Sequence, residues 1–497
     1  MKMGKFVVAF DVEWMRSVGR RFASADARAS DGLVTFAVMW AVALIFSAVS
    51  HYGALTFADG YRIALIEYAV LASAAAVIFK PRRLVLLMLL AAVMALQYAT
   101  RMPVASNNQT IAFFMNAAIV TVVGLAWLRQ GTVEDARAEA YERLRIVARL
   151  LLATMYFYGI FHKINTDFLD PNASCAVALY QPLTHNFGLQ DNLFGRYGAI
   201  AATFVIEAIT LVCLFWKRFF AFGLIVGLVF HYIIPISAYS WYMDFSSLVF
   251  ALYTLSVPRE VSVAFYERGR ALLGRFPSPS TGAAAIVAFV LLFLAALLVA
   301  AALRLNAGGV EVSDMMAWHS SWIVIWAVVG GVAMIVLTQA ALEALPYRPI
   351  PGPRQPAWIY LFPGVLFLSC LSPYLGLKTE SSIAMFSNLH TEGGTTNHLL
   401  FSRPPYIAGY QNEVATIEGS SDAKMQDMAG RRLGMVRLEL ERWMKWKPDH
   451  WVTFTIDGRR YERATAASFP MTDYNLLERR LLTFKPVDVA RPKVCTH

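Results

Sequence analysis

Charge is scarce in this sequence, and so are cysteine and the familiar marks of soluble catalysis. Asp, Glu, Lys and Arg supply 16% of the 497 residues, against about 25% in an ordinary soluble chain. With 57% hydrophobic residues, that deficit excludes a soluble globular protein and indicates a polytopic membrane protein. The four cysteines form no CxxC, so neither a zinc site nor a dithiol redox pair is signalled. There is no P-loop, HExxH, GxSxG or dinucleotide fingerprint. No internal repeat of the inverted transporter kind is visible either.

Long apolar runs are what the chain has in quantity. Stretches able to cross a bilayer occur at 33–52, 63–79, 84–99, 110–128, 146–164, 197–216, 219–238, 283–303, 320–340 and 357–377, with a shorter one at 245–257. The expected fold is an all-α membrane domain of about 9–11 transmembrane helices, followed by a small extramembrane α+β domain. Basic clusters set the orientation: Lys80, Arg82 and Arg83; Arg129 to Arg145; Lys217 and Arg218; Arg259 to Arg275. Placing all of them in the cytoplasm puts the amino terminus inside and the carboxyl-terminal domain outside, here in an inner (cell) membrane. These loops account for much of the net charge of +10, so the partner implied is the lipid bilayer and not nucleic acid.

Three segments follow. Residues 1–30 place Phe6, Phe10, Trp14 and Phe22 at helical spacing among basic residues, as in an amphipathic helix on the cytoplasmic membrane surface. Residues 31–377 form the membrane domain, and 378–497 the extracytoplasmic one. Within the latter, WVTFTIDGRRYERATA reads as a hairpin turning at Asp457-Gly458, and Gly430 to Lys447 as an amphipathic helix.

A few polar residues interrupt the apolar runs. Lys163 closes RIVARLLLATMYFYGIFHK, where a charge at membrane depth costs roughly 3 kcal/mol or more unless paired, snorkelled or used. It is either an interfacial lysine reaching headgroups or a base in a half-dry pocket, where burial lowers its pKa. Asp167, just beyond, could orient or pair with it. Glu67, Glu207, His231 and Asp244 also fall in or beside spans. They are satisfied core residues or the lining of a polar cavity. The aromatic runs YFYGIF, containing Tyr158, and YSWYMDF, containing Trp241, are either an interfacial belt or flat walls for a quinol ring.

The segment YFYGIFHKINTDFLDPNASCA resembles the central motif of the horizontally transferred transmembrane domain family, which is related to the vitamin K-dependent gamma-glutamyl carboxylases. GLVFHYIIPISAYSWYMDFSSLVFALYTLSVP is similar to a later family span, and AMFSNLHTEGGTTNHLLF to the start of the family's extramembrane domain. The resemblance implies a carboxylase-like, lyase-class membrane enzyme that uses a reduced quinone. In that scheme a lysine deprotonates the hydroquinone, oxygenation yields a strong base, and the carbanion that base makes captures CO2. By motif position Lys163 is that lysine, His162 stands where a second lysine would, and His231 and His398 match later histidines. The expected site is therefore Lys163, His162 and His398 as catalytic groups, with Asp167, Glu207, His231, Asp244, Tyr158 and Trp241 around the substrate. No metal is implied. The alternatives are a non-catalytic protein that binds lipid or scaffolds a partner, and a proton-coupled transporter.

Cys175 and Cys495 both fall on the outer side of this topology. They could pair, closing a loop of roughly 320 residues, or remain two separate thiols.

Overall fold

The computed structural model describes residues 32–186, 188, 190–237, 242–273, 312–345, 347, 355–489, 492, 493 and 495. The amino-terminal amphipathic helix, the 283–303 span and Trp241 lie outside the described residues.

Eight helices among the described residues are long and apolar enough to cross a membrane; the protein is a multi-pass membrane protein. In chain order the first five are α1 (Gly32–Val49), α2 (Tyr61–Phe79), α3 (Leu84–Arg101), α4 (Asn107–Arg129) and α5 (Val133–Phe161). The short α6 (Cys175–Asn186) lies outside the set, and α7 (Leu193–Cys213) and α8 (Phe220–Ser237) resume it. Next come α9 (Met243–Ser256), α10 (Arg259–Leu273) and the long α11 (Val312–Glu343). Eighteen residues at 1.5 Å per residue span about 27 Å, close to a hydrocarbon core. The short run expected at 245–257 is α9, which is broken from α10 by a 117° bend.

α1 sits at the centre, with Phe36, Trp40 and Leu44 fully buried. Its single indole N–H is satisfied across the core by Asn116 Oδ1 at 2.9 Å, as a buried polar group requires. α4 begins at a capping box in which Ser106 and Gln109 satisfy one another's backbone N–H groups. α5 begins at Thr132, whose side chain accepts from Asp135 N, with Glu134 and Asp135 in the first turn.

Three of the four basic clusters, at 80–83, 129–145 and the described part of 259–275, meet at one end of the bundle. Arg82 bonds Tyr266 at 3.0 Å, Arg145 donates to the Val257 carbonyl at 2.9 Å, and Arg268 pairs with Glu343. The apolar run expected as one helix over 357–377 is broken. A 3-10 turn at Ala357–Tyr360 leads into α12 (Leu361–Ser369) and a last turn at Ser372–Leu375. The segment still runs beside α5 for most of that helix. Trp358 stacks under Arg143, Tyr158 donates to the Phe367 carbonyl at 2.9 Å, and Tyr374 bonds His162.

Beyond it the chain forms a five-stranded antiparallel sheet, ordered β4-β3-β1-β2-β5. The strands are β1 (Val414–Ser420), β2 (Leu433–Val436), β3 (Val452–Ile456), β4 (Arg459–Ala464) and β5 (Val487–Asp488), with helices α13 (Ala423–Gly430), α14 (Arg437–Trp446) and α15 (Leu476–Leu481). Asp457 and Gly458, at φ 50° and 73°, make the two-residue turn of the β3–β4 hairpin. The helix expected from Gly430 starts only at Arg437. Leu433 and Val436 are buried in β2 instead, because β1 and β5 both pair with that strand.

Candidate functional site

One face of α5 builds the site. Tyr156, Gly159 and Lys163 recur at spacings of three and four, so they share a helix face. All three line a cavity of about 530 Å³ enclosed by α5, α6, α7, α8, the start of α9 and the loop at 383–386. The walls are otherwise mainly apolar, including Phe168, Ile206, Ile225, Val229 and Phe245.

Lys163 Nζ donates to Glu207 Oε1 at 2.6 Å. Lysine and glutamate are 5% and 8% exposed, so the bond is a buried ion pair, strengthened by its dry surroundings. Lys163 Nζ also lies 5.9 Å from the centre of the Phe168 ring. Gly159 makes room for the partner: a Cβ there would stand 3.2 Å from Glu207 Oε2. On the neighbouring wall His231 Nε2 and the Tyr156 hydroxyl are 3.0 Å apart, and Tyr156 bonds Tyr253 at 3.0 Å. Glu207 Oε2 and His231 Nδ1 are both buried and have no hydrogen-bond partner among the described residues.

The roof is a contorted loop. Ser381, Ile383, Phe386 and Asn388 hold φ between 52° and 57°, a left-handed conformation that costs a non-glycine residue about 1–3 kcal/mol. Surrounding bonds hold it there. Asn107 Oδ1 accepts from Ile383 N at 2.6 Å, Asn165 Nδ2 donates to the Ser387 carbonyl at 2.6 Å, and Asn388 Oδ1 accepts from Cys175 N at 2.7 Å. Ile383, Met385 and Phe386 face the cavity as a result. A disulfide between Cys175 and Cys495 ties the far end of the chain beside this roof, resolving the alternatives left by the sequence.

Of the expected site residues, the cavity brings together Lys163, Glu207 and His231. The other described ones, His162, His398, Asp167, Asp244 and Tyr158, are not among its lining residues. His162 is fully buried on a different face of α5, with Nδ1 on the Tyr374 hydroxyl at 2.8 Å and Nε2 on the Ser382 carbonyl at 3.0 Å. One ring nitrogen is thus engaged with the last turn of the 357–375 segment and the other with the extramembrane segment just beyond it. His398 Nε2 bonds the Phe161 carbonyl at 2.9 Å and its Nδ1 accepts from Leu400 N at 3.2 Å. Burial keeps this imidazole below its ordinary pKa, while the Phe161 carbonyl pulls the other way. Closure from the tail thus comes from 383–386, not from His398. Asp167 accepts from Asn397 at 2.8 Å and from Thr166; the lysine's carboxylate partner is Glu207. Asp244 accepts from Asn108 at 2.5 Å. Tyr158 packs against Phe367 and His162.

Glu67 belongs to a separate buried group, accepting from Arg101 at 2.5 Å and Gln97 at 2.8 Å. No cluster of three or more His, Cys, Asp or Glu side chains among the described residues is placed to hold a metal ion.

Tyr156 and Gly159 fall in the YFYGIF run expected as an aromatic belt or wall, but neither stood out as an individual site residue. Tyr156 and Gly159 were detectable through their helical register with Lys163. Tyr158 and His162, four apart from one another, occupy a different face by the same geometry. Of the roof, Met385 and Phe386 fall in the AMFSNLHTEGGTTNHLLF stretch, which stands out for its family resemblance and not as a cavity wall.

Comparison of the chain with protein-family models, with curated proteins and with solved structures finds no match.

Proposed function

We propose that this protein is a membrane enzyme in which the Lys163–Glu207 pair moves a proton to and from a lipid-soluble hydroxyl compound, such as a reduced quinone. The observation that carries this reading is the buried ion pair in a mainly apolar cavity, together with two buried polar atoms that have no hydrogen-bond partner among the described residues, Glu207 Oε2 and His231 Nδ1. A carboxylate oxygen only accepts, and an imidazole nitrogen donates or accepts. A ligand hydroxyl satisfies both kinds of group. A free carboxylate or phosphate would meet Glu207 with like charge. Its attraction to Lys163 would be largely spent, because the lysine is already paired.

Access supports the same substrate. Ala202, Val229 and Ile233 line the cavity and are also exposed on the outer surfaces of α7 and α8. An apolar molecule can therefore enter sideways from the hydrocarbon. At the pair, the carboxylate accepts the hydroxyl proton and the ammonium holds the oxyanion that forms. The net charge of the site stays constant, which limits the cost in a dry pocket. The resemblance to the horizontally transferred transmembrane domain family extends this to a quinol-linked, carboxylase-like reaction. In this reading the basic end of the bundle is cytoplasmic, the membrane is the inner one, and the tail is extracytoplasmic.

A non-catalytic lipid-binding protein is the second reading, favoured by the fact that the ion pair is already self-neutral. A proton path through Glu207, His231 and Asp244 fits less well, since Asp244 is bonded to Asn108 and is not a lining residue.

The test uses the protein in nanodiscs. Solvent extraction and mass spectrometry should find a quinone or another lipid-soluble hydroxyl compound. Added reduced menaquinone should then be consumed with oxygen uptake by the wild type and not by Lys163→Met. A bound quinone without turnover would leave the lipid-binding reading; neither binding nor turnover would remove both.

A further inference from the structure

Eight large hydrophobic side chains are exposed on the described part of the tail, and six of them fall in two places. Leu399, Leu400 and Ile407 occupy the loop after the roof, 51–72% exposed. Leu476, Leu477 and Leu481 occupy α15, 50–69% exposed. Three of the six residues of that helix are therefore leucines facing outward. In water such clusters are a liability.

Each cluster is tied to the end of a membrane-crossing segment. Leu399 N donates to the Ile164 carbonyl at 2.9 Å, three residues beyond the end of α5. Ile407 N donates to the Leu375 carbonyl at 3.0 Å, where the broken 357–375 segment finishes. Arg480 Nη1 donates to the Met102 carbonyl at 3.3 Å, one residue past α3. Val104, in the same α3–α4 connection, is 69% exposed. Both clusters thus stand at the level where spans leave the hydrocarbon, and they continue its apolar surface. Arg403 beside the first cluster is exposed, as are Arg479 and Arg480 on the second. Basic residues flanking leucines match a boundary with acyl chains on one side and phosphates on the other.

We propose that the tail domain rests on the lipid bilayer through these two feet, the 399–407 loop and α15, which insert at the boundary between headgroups and acyl chains. The occupant of both apolar surfaces is the leaflet that surrounds the bundle. The opposite edge of the domain is polar: β4 carries Arg459 and Arg460, both exposed, and lies four strand spacings, about 19 Å, from β5. Two separated feet would fix the height and tilt of the tail over the bundle. The Ile383–Phe386 roof would then stay seated by the membrane as well as by its own hydrogen bonds.

Spin labels on the full-length protein in phosphatidylcholine/phosphatidylglycerol nanodiscs test this. Nitroxides at Leu400→Cys and Leu477→Cys are compared with one at Arg459→Cys, the unlabelled-site background coming from the parent protein. The expected result is a severalfold preference for collisions with oxygen over a water-soluble nickel complex at positions 400 and 477, and the reverse at 459. A nickel-favoured nitroxide at either foot overturns the proposal. So does spin–spin broadening between molecules, which would show a second copy on the patch. The outcome does not depend on whether Lys163 and Glu207 act in catalysis.

Discussion

Lys163, two residues past the end of α5, and Glu207 of α7 are joined by a 2.6 Å bond inside the membrane domain, and that bond couples stability to chemistry. From sequence alone, Lys163→Ala is expected to spare the fold and remove activity. The pair changes the first half of that expectation. Removing one partner leaves an uncompensated buried charge, at a cost of about 3–5 kcal/mol. Lys163→Met and Glu207→Leu should each lower the thermal midpoint in nanodiscs, and the double variant should recover most of the loss. All three should lack quinol-dependent turnover. Single variants as stable as the wild type would show that the pair contributes nothing to folding.

Gly159 tests the seat of the carboxylate. Alanine adds a Cβ 3.2 Å from Glu207 Oε2, forcing a few tenths of an ångström of movement. Helix propensity favours alanine by about 1 kcal/mol, so stability should change little. Turnover should fall about tenfold if the misplaced carboxylate costs about 1.4 kcal/mol in the transition state. Unchanged kinetics would show that the glycine is not needed there.

The Cys175–Cys495 bond spans 320 residues. Chain entropy gives such a loop an upper value of about 6 kcal/mol. Mass spectrometry of unreduced peptides should recover the linked pair. Reduction, or Cys495→Ser, should increase proteolysis near residues 383–388 before the bundle itself melts. Free thiols at both positions in oxidised membranes would contradict the bond.

Acid should loosen the tail in two steps. Glu392 is fully buried, and burial is the largest single influence, pushing its carboxyl upward. The His390 bond and charge, the Lys485 charge and the Thr391 N–H bond together outweigh it and hold the group at about 2, against an ordinary 4.5. A depressed carboxyl stabilises the fold fully above pH 4.5 and progressively less as pH falls towards 2. His398, lowered by burial, is kept neutral, so its contribution is complete above 6.5 and declines below that value. Limited proteolysis from pH 7 to pH 3 should show both steps. Glu392→Gln should flatten the lower one and His398→Gln the upper one; an unchanged profile in both variants would assign the acid response to other groups.

Much of the architecture was legible because it follows from local composition. Apolar length announced the spans, and arginine and lysine placement grouped three loops that do meet at one end of the bundle. The Asp457-Gly458 pair marked its own turn, since few residues accept positive φ at both positions. The 430–447 stretch was misread in its first half, where Leu433 and Val436 serve β2. Sheet pairing from β1 and β5 overrode helical periodicity there, as tertiary context commonly does.

The candidate site was only partly legible, and the division has a physical cause. Sequence by itself determined which residues could not sit in hydrocarbon unaided, and so drew attention to Lys163, Glu207 and His231. It could not determine which of them would pair. Glu207 is 44 residues from Lys163 while Asp167 is only four, and proximity along the chain favours the wrong carboxylate. Helix packing decided the matter, because α7 brings Glu207 against Gly159 where no side chain stands in the way. The same packing turned His162 and Tyr158 out of the cavity and Tyr156 into it. The roof at 383–386 and the closure by Cys495 depend on contacts between segments more than 200 residues apart, and only the tertiary structure decides those.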